Sequence, residues 1–253
     1  CMKTFVIAEA GSNHNGSFDQ ALSLIDVAKE SGASAVKFQT LKANRLYAVN
    51  TPEIAGIKDV RGLIKKIELP REWQPELKRY CDTIGIEFMS TPFDEEAVQQ
   101  LVDIGVKRLK IAGFESSDFR FVDMVASTGL PLIVSIGIGF PFDRMNEMLD
   151  IIKKYRNDVT FLHANNAYPT PMEDINLKRM LKIKELVNGY KVGLSDHTIS
   201  TLTPSFAVSM GATTIEKHFT LSKRLSGPDH FFALEPHELK EMIDNIQQAE
   251  MAS

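Results

Sequence analysis

Five side chains able to do chemistry stand in or beside runs that are otherwise apolar. They are Lys37 in 35–40, Lys110 in 108–112, His197 just after 191–194, and Glu216 and His218 in 214–219. Two lysines brought to one mouth with Thr91, Ser135, Ser195 and Asn166 would form a cationic, hydroxyl-rich cup. Such a cup suits a ligand carrying both a phosphate and a carboxylate. Two neutral imidazoles, His197 and His218, could hold one divalent metal. Without a third protein ligand, positions stay open for water and substrate, as Lewis-acid chemistry requires. Glu216 lies two residues before His218, so on a strand it shares that face. There it could serve in acid/base work, or it could simply pair with one of the lysines.

These residues need elements that converge. Short β-rich runs at 5–8, 35–40, 87–90, 108–112, 132–136, 159–164, 191–194 and 214–219 alternate with helical stretches. Most runs are near-continuously apolar, as strands buried on both faces of a parallel sheet are. Ser17 and Gln20 read as a capping box, with Gly32 ending that helix. Glu235-Pro236 opens the last helix, whose stripe is Leu239, Met242, Ile243 and Ile246. Residues 41–70 read as an insertion, after which Pro70 and Trp73 mark the next helix. Eight strand–helix units in 253 residues give the α/β fold class, a single (β/α)8 TIM barrel over 1–253. A doubly wound open sheet is the alternative.

A barrel enzyme works at the C-terminal ends of its strands, and polar residues collect there in this chain. Strand 1 runs into Glu9 and Ser12-Asn13-His14-Asn15, and strand 2 into Gln39-Thr40. Strand 4 leads to Glu115, strand 6 to His163, Asn165, Asn166 and Tyr168, strand 7 to Asp196, and strand 8 carries Lys217. Concentrating so much burial-averse charge is unfavourable unless a ligand offsets it.

Composition narrows the function classes. The formal net charge is −4, with 29 Lys+Arg against 33 Asp+Glu, and no long basic run suggests nucleic-acid or membrane-surface binding. No apolar stretch approaches the roughly 18 residues needed to span a bilayer. Cys1 ahead of Met2 reads as an addition, leaving Cys81, so no disulfide framework is expected and a reducing cytoplasm fits. Cys81 falls in a helical stretch and reads as core. Dinucleotide-binding glycine loops, P-loops and nucleophile elbows are absent from the sequence.

The motifs add a resemblance. Ala8-Glu9-Ala10-Gly11-Ser12-Asn13-His14-Asn15-Gly16 resembles the opening motif of the N-acetylneuraminate (sialic acid) synthase family. Lys37-Phe38-Gln39-Thr40, Ser90-Thr91-Pro92-Phe93, Tyr168-Pro169-Thr170-Pro171 and Gly193-Leu194-Ser195-Asp196-His197 are similar to later motifs of that family. So are Glu216-Lys217-His218-Phe219 and Gly227-Pro228-Asp229-His230, in the right order and along essentially the whole chain. The resemblance implies a transferase that joins phosphoenolpyruvate to an open-chain amino-sugar aldehyde, N-acetylmannosamine or a relative, in sialic acid (carbohydrate) biosynthesis. By position, Lys37, Thr91, Lys110, Ser135, Asn166 and Ser195 would hold phosphoenolpyruvate. His197 and His218 would bind manganese, or magnesium or cobalt. Glu9, Gln39, Tyr168 and Asp229 would contact the sugar or metal-bound water, and Glu216 would do acid/base work. A cytoplasmic homodimer is expected.

Three departures accompany the resemblance. Gly113 stands where the family usually has Ser, Ile136 where it has Thr, and the C-terminal antifreeze-like domain of bacterial members is expected to be missing. Two other readings stay open: a 3-deoxy-octulosonate 8-phosphate synthase, against which the strand 7 motif and 227–230 argue, and a barrel that binds sugar or phosphoenolpyruvate without turnover.

Overall fold

Period-2 alternation in eight short strands decides what this chain can enclose. In a computed structural model that describes residues 3–46 and 58–253, the strands are β1 (Phe5–Gly11), β2 (Ala35–Thr40), β3 (Glu87–Pro92), β4 (Leu109–Ile111), β5 (Leu132–Ile136), β6 (Val159–Ala164), β7 (Lys191–Asp196) and β8 (Thr214–His218). All adjacent pairs are parallel, in the order β3-β2-β1-β8-β7-β6-β5-β4. The two end strands, β3 and β4, touch without a hydrogen-bonded ladder, so the barrel is nearly closed.

The alternating helices are α1 (Phe18–Ser31), α2 (Ala43–Leu46), α3 (Val60–Ile67), α4 (Gln74–Ile84), α5 (Glu95–Asp103), α6 (Phe119–Ala126), α7 (Met145–Tyr155), α8 (Lys178–Leu186), α9 (Thr203–Ser209) and α10 (Pro236–Ala252). Part of the expected insertion, 47–57, lies outside the described residues. The rest folds as α2 and α3, tied where Ala43 N donates to Glu68 Oε1 at 2.5 Å.

Several boundaries shift from the sequence expectation. β1, β3 and β7 run two to three residues further toward the mouth, whereas β4 is shorter. Extended backbone continues through Glu9, Thr91 and Ser195 because neighbouring strands still supply hydrogen-bond partners there. At α1, Ser17 Oγ accepts from Gln20 N, but Gln20 Nε2 turns to Asn13 O at 2.6 Å. Only half of the expected capping box forms, and the other half ties the loop after β1. The full box lies at α10, between Glu235 and Glu238. Gly32 ends α1 at φ 91°, and Cys81 is buried within α4.

Two apolar layers result. The larger lies between strands and helices and includes Val6, Val36, Phe88, Val134 and Phe161. A small separate cluster of Ile7, Ala35, Met89, Ile133 and Leu162 fills the barrel interior. One inward step further along the strands comes Glu9 after Ile7, Lys37 after Ala35, Thr91 after Met89 and Ser135 after Ile133, all of which line the cavity above. The barrel's apolar plug is therefore the floor of its polar site.

That floor closes only because one inward position is glycine. A Cβ built on Gly193 would stand 2.1 Å from Thr214 O and 2.9 Å from Leu162 Cδ2. We expect Gly193→Ala to prise β7 from β8 and to destabilise the fold by about 4 kcal/mol or more. Urea unfolding measures this, and a loss below about 1 kcal/mol would show that the two strands separate freely.

Candidate active site

Above the apolar floor lies a cavity of ≈ 470 Å³. Twelve of the thirteen residues expected at the site line it: Glu9, Lys37, Gln39, Thr91, Lys110, Ser135, Asn166, Tyr168, Ser195, His197, Glu216 and His218. The thirteenth, Asp229, is half-buried beside it. A Cβ at Gly11 would be 3.6 Å from Asp229 Oδ2 and 3.5 Å from Glu9 Oε1, so the two carboxyls flank this glycine.

Glu216 organises the charges. Its Oε1 lies 3.6 Å from Lys110 Nζ and accepts from Ser195 Oγ at 2.9 Å, while its Oε2 lies 3.7 Å from Lys37 Nζ. Lys37 Nζ also lies 2.8 Å from Glu9 Oε2 and donates to Thr91 Oγ1 at 2.5 Å. Lys110 Nζ donates to Ser135 Oγ at 2.9 Å and Ile111 O at 3.3 Å. Both readings of Glu216 thus meet in one place: it pairs with the lysines, and it faces the cavity. Gln39 Nε2 completes the cluster by donating to Glu9 Oε1 at 3.3 Å.

Burial and proximity set the protonation of this cluster. Burial raises the Glu9 carboxyl to about 7, against the pull of Lys37 and with the help of Glu216. Glu216 is equally buried, but Lys110 and Lys37 outweigh that burial and hold it at about 2. Two carboxyls a few ångströms apart therefore carry different charge near neutrality, one a fixed anion and the other able to take a proton. Burial also opposes the Lys37 ammonium, but Glu216 and Glu9 prevail and raise it; for Lys110 burial prevails and lowers it.

His197 and His218 form the second group, with ring centroids 5.6 Å apart. His197 Nδ1 is 2.8 Å from Asn165 O, so it carries the proton and leaves Nε2 as a free donor atom. Burial lowers His197 to about 4, and burial together with His197 holds His218 well below the ordinary value. Both rings are neutral, and His218 Nδ1 is buried without a partner. An orphaned imidazole nitrogen beside a second neutral imidazole fits a divalent metal. Among the described residues no cluster of three or more His, Cys, Asp or Glu could hold one, so a metal here would draw its side-chain donors from these two rings. Tyr168 packs against His197 with centroids 4.1 Å apart.

Some polar strand-end residues do not join the cavity. Lys217 points outward between its inward neighbours and lies 2.6 Å from Asp196 Oδ2, 2.6 Å from Thr198 O and 2.9 Å from Ser200 O. His163 is enclosed under the β6 end, with Nε2 2.7 Å from Ile175 O. Alternation along β8 already placed Lys217 opposite Glu216 and His218. Sequence reasoning missed the Asn165 carbonyl, since a backbone group leaves no residue-type signal. It also missed the wall formed by Leu41, Ile64, Phe93 and Phe114. Glu115 faces the cavity too, its Oε2 buried without a partner and its pKa raised by burial. A side chain at Gly113 would meet only ordinary contacts, 3.6 Å from Gly137 Cα.

Comparison with known proteins follows from this geometry. The NeuB family profile matches residues 24–253. The N,N'-diacetyllegionaminic acid synthase of Legionella pneumophila is 40% identical over 264 residues, covering 98% of this chain and 73% of that protein. The N-acetylneuraminate-9-phosphate synthase of Homo sapiens is 33% identical over 254 residues, covering 98% of this chain and 70% of that protein. The crystal structure of N-acetylneuraminic acid synthetase from Leptospira borgpetersenii, in complex with citrate, superposes with a TM-score of 0.91 at 31% identity, covering 98% of this chain and 84% of that one.

Lys217 and Asp196 knit together the two strands that carry the histidines. Lys217→Met leaves Asp196 buried and unpaired, and we expect a loss of about 3–5 kcal/mol in urea unfolding. A variant as stable as the wild type would show that this pair contributes nothing to holding β7 on β8.

Proposed function

The chain belongs to the NeuB family, and from that premise we propose that it joins phosphoenolpyruvate to the open-chain aldehyde of an N-acetylmannosamine-like amino sugar. The products would be a sialic-acid-like 2-keto acid and phosphate. The observation that carries this reading is the pair of buried ammonium groups, Lys37 and Lys110, held apart by Glu216 with Thr91 and Ser135 hydroxyls in hydrogen-bond reach. Two buried lysine amines with hydroxyl donors match a small ligand that carries a phosphate at one end and a carboxylate at the other.

The residues divide the work. Lys37, Thr91, Lys110, Ser135, Asn166 and Ser195 bind phosphoenolpyruvate and orient its enol carbon toward the acceptor. Gln39, Tyr168, Glu9 and Asp229 stand on the acceptor side, with the apolar wall of Leu41, Ile64, Phe93 and Phe114 available to acyl groups. A divalent metal, manganese by the family resemblance or else magnesium or cobalt, would be held by His197 and His218 and would supply Lewis acidity toward the aldehyde. The enol carbon attacks the aldehyde carbon, the C=O double bond opens and its oxygen takes a proton from Glu9, and positive charge is left at C2 of the former phosphoenolpyruvate. Glu216, the fixed anion, is placed to steady that charge, and Glu9, the carboxyl able to take a proton near neutrality, to accept one from the water that adds there. Collapse of the adduct breaks the C2–O bond and expels phosphate into the lysine cup. The relatives differ in the sugar that their names record, so the acceptor is the open variable.

Phosphate release from phosphoenolpyruvate with manganese, measured across N-acetylmannosamine, its 6-phosphate and diacetamido hexoses, tests the reaction. We expect release that depends on one acceptor. Release without any acceptor, or none with the whole panel, would overturn the synthase reading. The metal assignment has its own readout: we expect His218→Ala to lose bound metal on elemental analysis, and wild-type metal content would remove His218 from the donor set.

A further inference from the structure

Arg179, near the start of α8, is a half-buried guanidinium that the reaction above does not use. It reaches across to the end of β5, where NH1 donates to Ile136 O at 2.7 Å and NH2 to Gly137 O at 2.6 Å. NH1 also lies 3.1 Å from His163 Nδ1. A guanidinium only donates, so Nδ1 accepts and His163 Nε2–H points to Ile175 O. The guanidinium carbon sits 4.8 Å from the Phe142 ring centroid. Each of these partners is neutral, and among the described residues no carboxylate pairs with Arg179.

The segment that Arg179 grips is one wall of the anion cup. Ser135, immediately before Ile136, accepts from Lys110. Ile138 O accepts from Asn166 Nδ2 at 2.9 Å, and a Cβ on Gly137 would press to 3.0 Å from Asn166 Oδ1. A shift of this turn by a fraction of an ångström would therefore move Ser135 and Asn166 together. Charge argues the same way. Within the cavity, Lys37 and Lys110 are already engaged by Glu216 and Glu9. A phosphate carries roughly −1.5 to −2 charge near neutral pH, and a neighbouring carboxylate adds one more. An unneutralised guanidinium just behind the wall supplies positive field that the two lysines, tied to carboxylates, lack.

The geometry points to Arg179 as a positioning residue for phosphoenolpyruvate: it fixes the β5 turn that presents Ser135 and Asn166 and adds a third positive charge behind them. This rests on the reading of the cavity as a phosphoenolpyruvate site. Lysine does not replace it, because one ammonium cannot fork onto two successive carbonyls while stacking on Phe142.

The test is the dissociation constant of phosphoenolpyruvate by calorimetry for the metal-loaded wild type, Arg179→Met and Arg179→Lys. Thermal midpoint, metal content and acceptor KM are read alongside. We expect Arg179→Met to bind phosphoenolpyruvate about tenfold or more weakly, with Arg179→Lys between it and the wild type. Acceptor KM and metal content should stay at wild-type values. Wild-type affinity in Arg179→Met would overturn the proposal, and so would a loss of affinity matched by equal losses in metal binding and thermal midpoint. If Arg179→Met does not fold, Arg179→Lys decides: weaker binding at an unchanged midpoint supports the role, and unchanged binding overturns it. A wild type that fails to bind phosphoenolpyruvate would overturn the reading of the cavity and this proposal with it, whereas binding by the wild type and equal binding by both variants removes Arg179 alone.

Discussion

A carboxylate buried between two buried ammonium groups governs this protein. Glu216, Lys37 and Lys110 each surrender their hydration, at several kcal/mol per ion, and recover it through one another, through Glu9 and through Ser195, Thr91 and Ser135. The partners come from every strand but β6, so no local segment can assemble them. Those seven strands must be in register before the charges are compensated. An apolar plug underneath and helices outside carry the stability that makes this concentration of charge tolerable.

The same alternation that fills the floor sorts the roles. Inward residues on β7 and β8 face the cavity, while the residues between them, Asp196 and Lys217, turn outward and pair at 2.6 Å. The outward pair thus braces the two strand ends from which the imidazoles project. At β5 the bracing comes instead from Arg179 on α8. A site of this kind is only as sharply placed as the shell behind it, and here that shell is an outward ion pair at β7 and β8 and a guanidinium on backbone carbonyls at β5.

The mouth has two characters. One side, from β5 to β8, is hydroxyl, amide and imidazole; the other, from Leu41 and Ile64 to Phe93 and Phe114, is apolar. Membership of the NeuB family sets the chemistry expected of the polar side. The apolar side is built from loops and from the α2–α3 insertion rather than from the strands.

Sequence by itself determined the architecture and most of the cavity lining. Eight apolar runs separated by helical patterns specify a (β/α)8 barrel, and barrel geometry then gathers the polar residues at the ends of those runs into one mouth. Glu9, Gln39 and Tyr168, read from those same strand ends, also line the cavity, and motif resemblance added Asp229 beside it. Tertiary structure alone decided three things. The first is the different protonation of Glu9 and Glu216, because burial prevails at the one while Lys110 and Lys37 prevail over it at the other. The second is the tautomer of His197, set by the Asn165 carbonyl, since a backbone oxygen is the same at every position in a sequence. The third is the reach of Arg179 to Ile136 and Gly137, because a contact between residues more than forty positions apart depends on how α8 lies on the barrel. Residue types and their spacing record which groups are present; only the fold sets the distances on which their charges and protons depend.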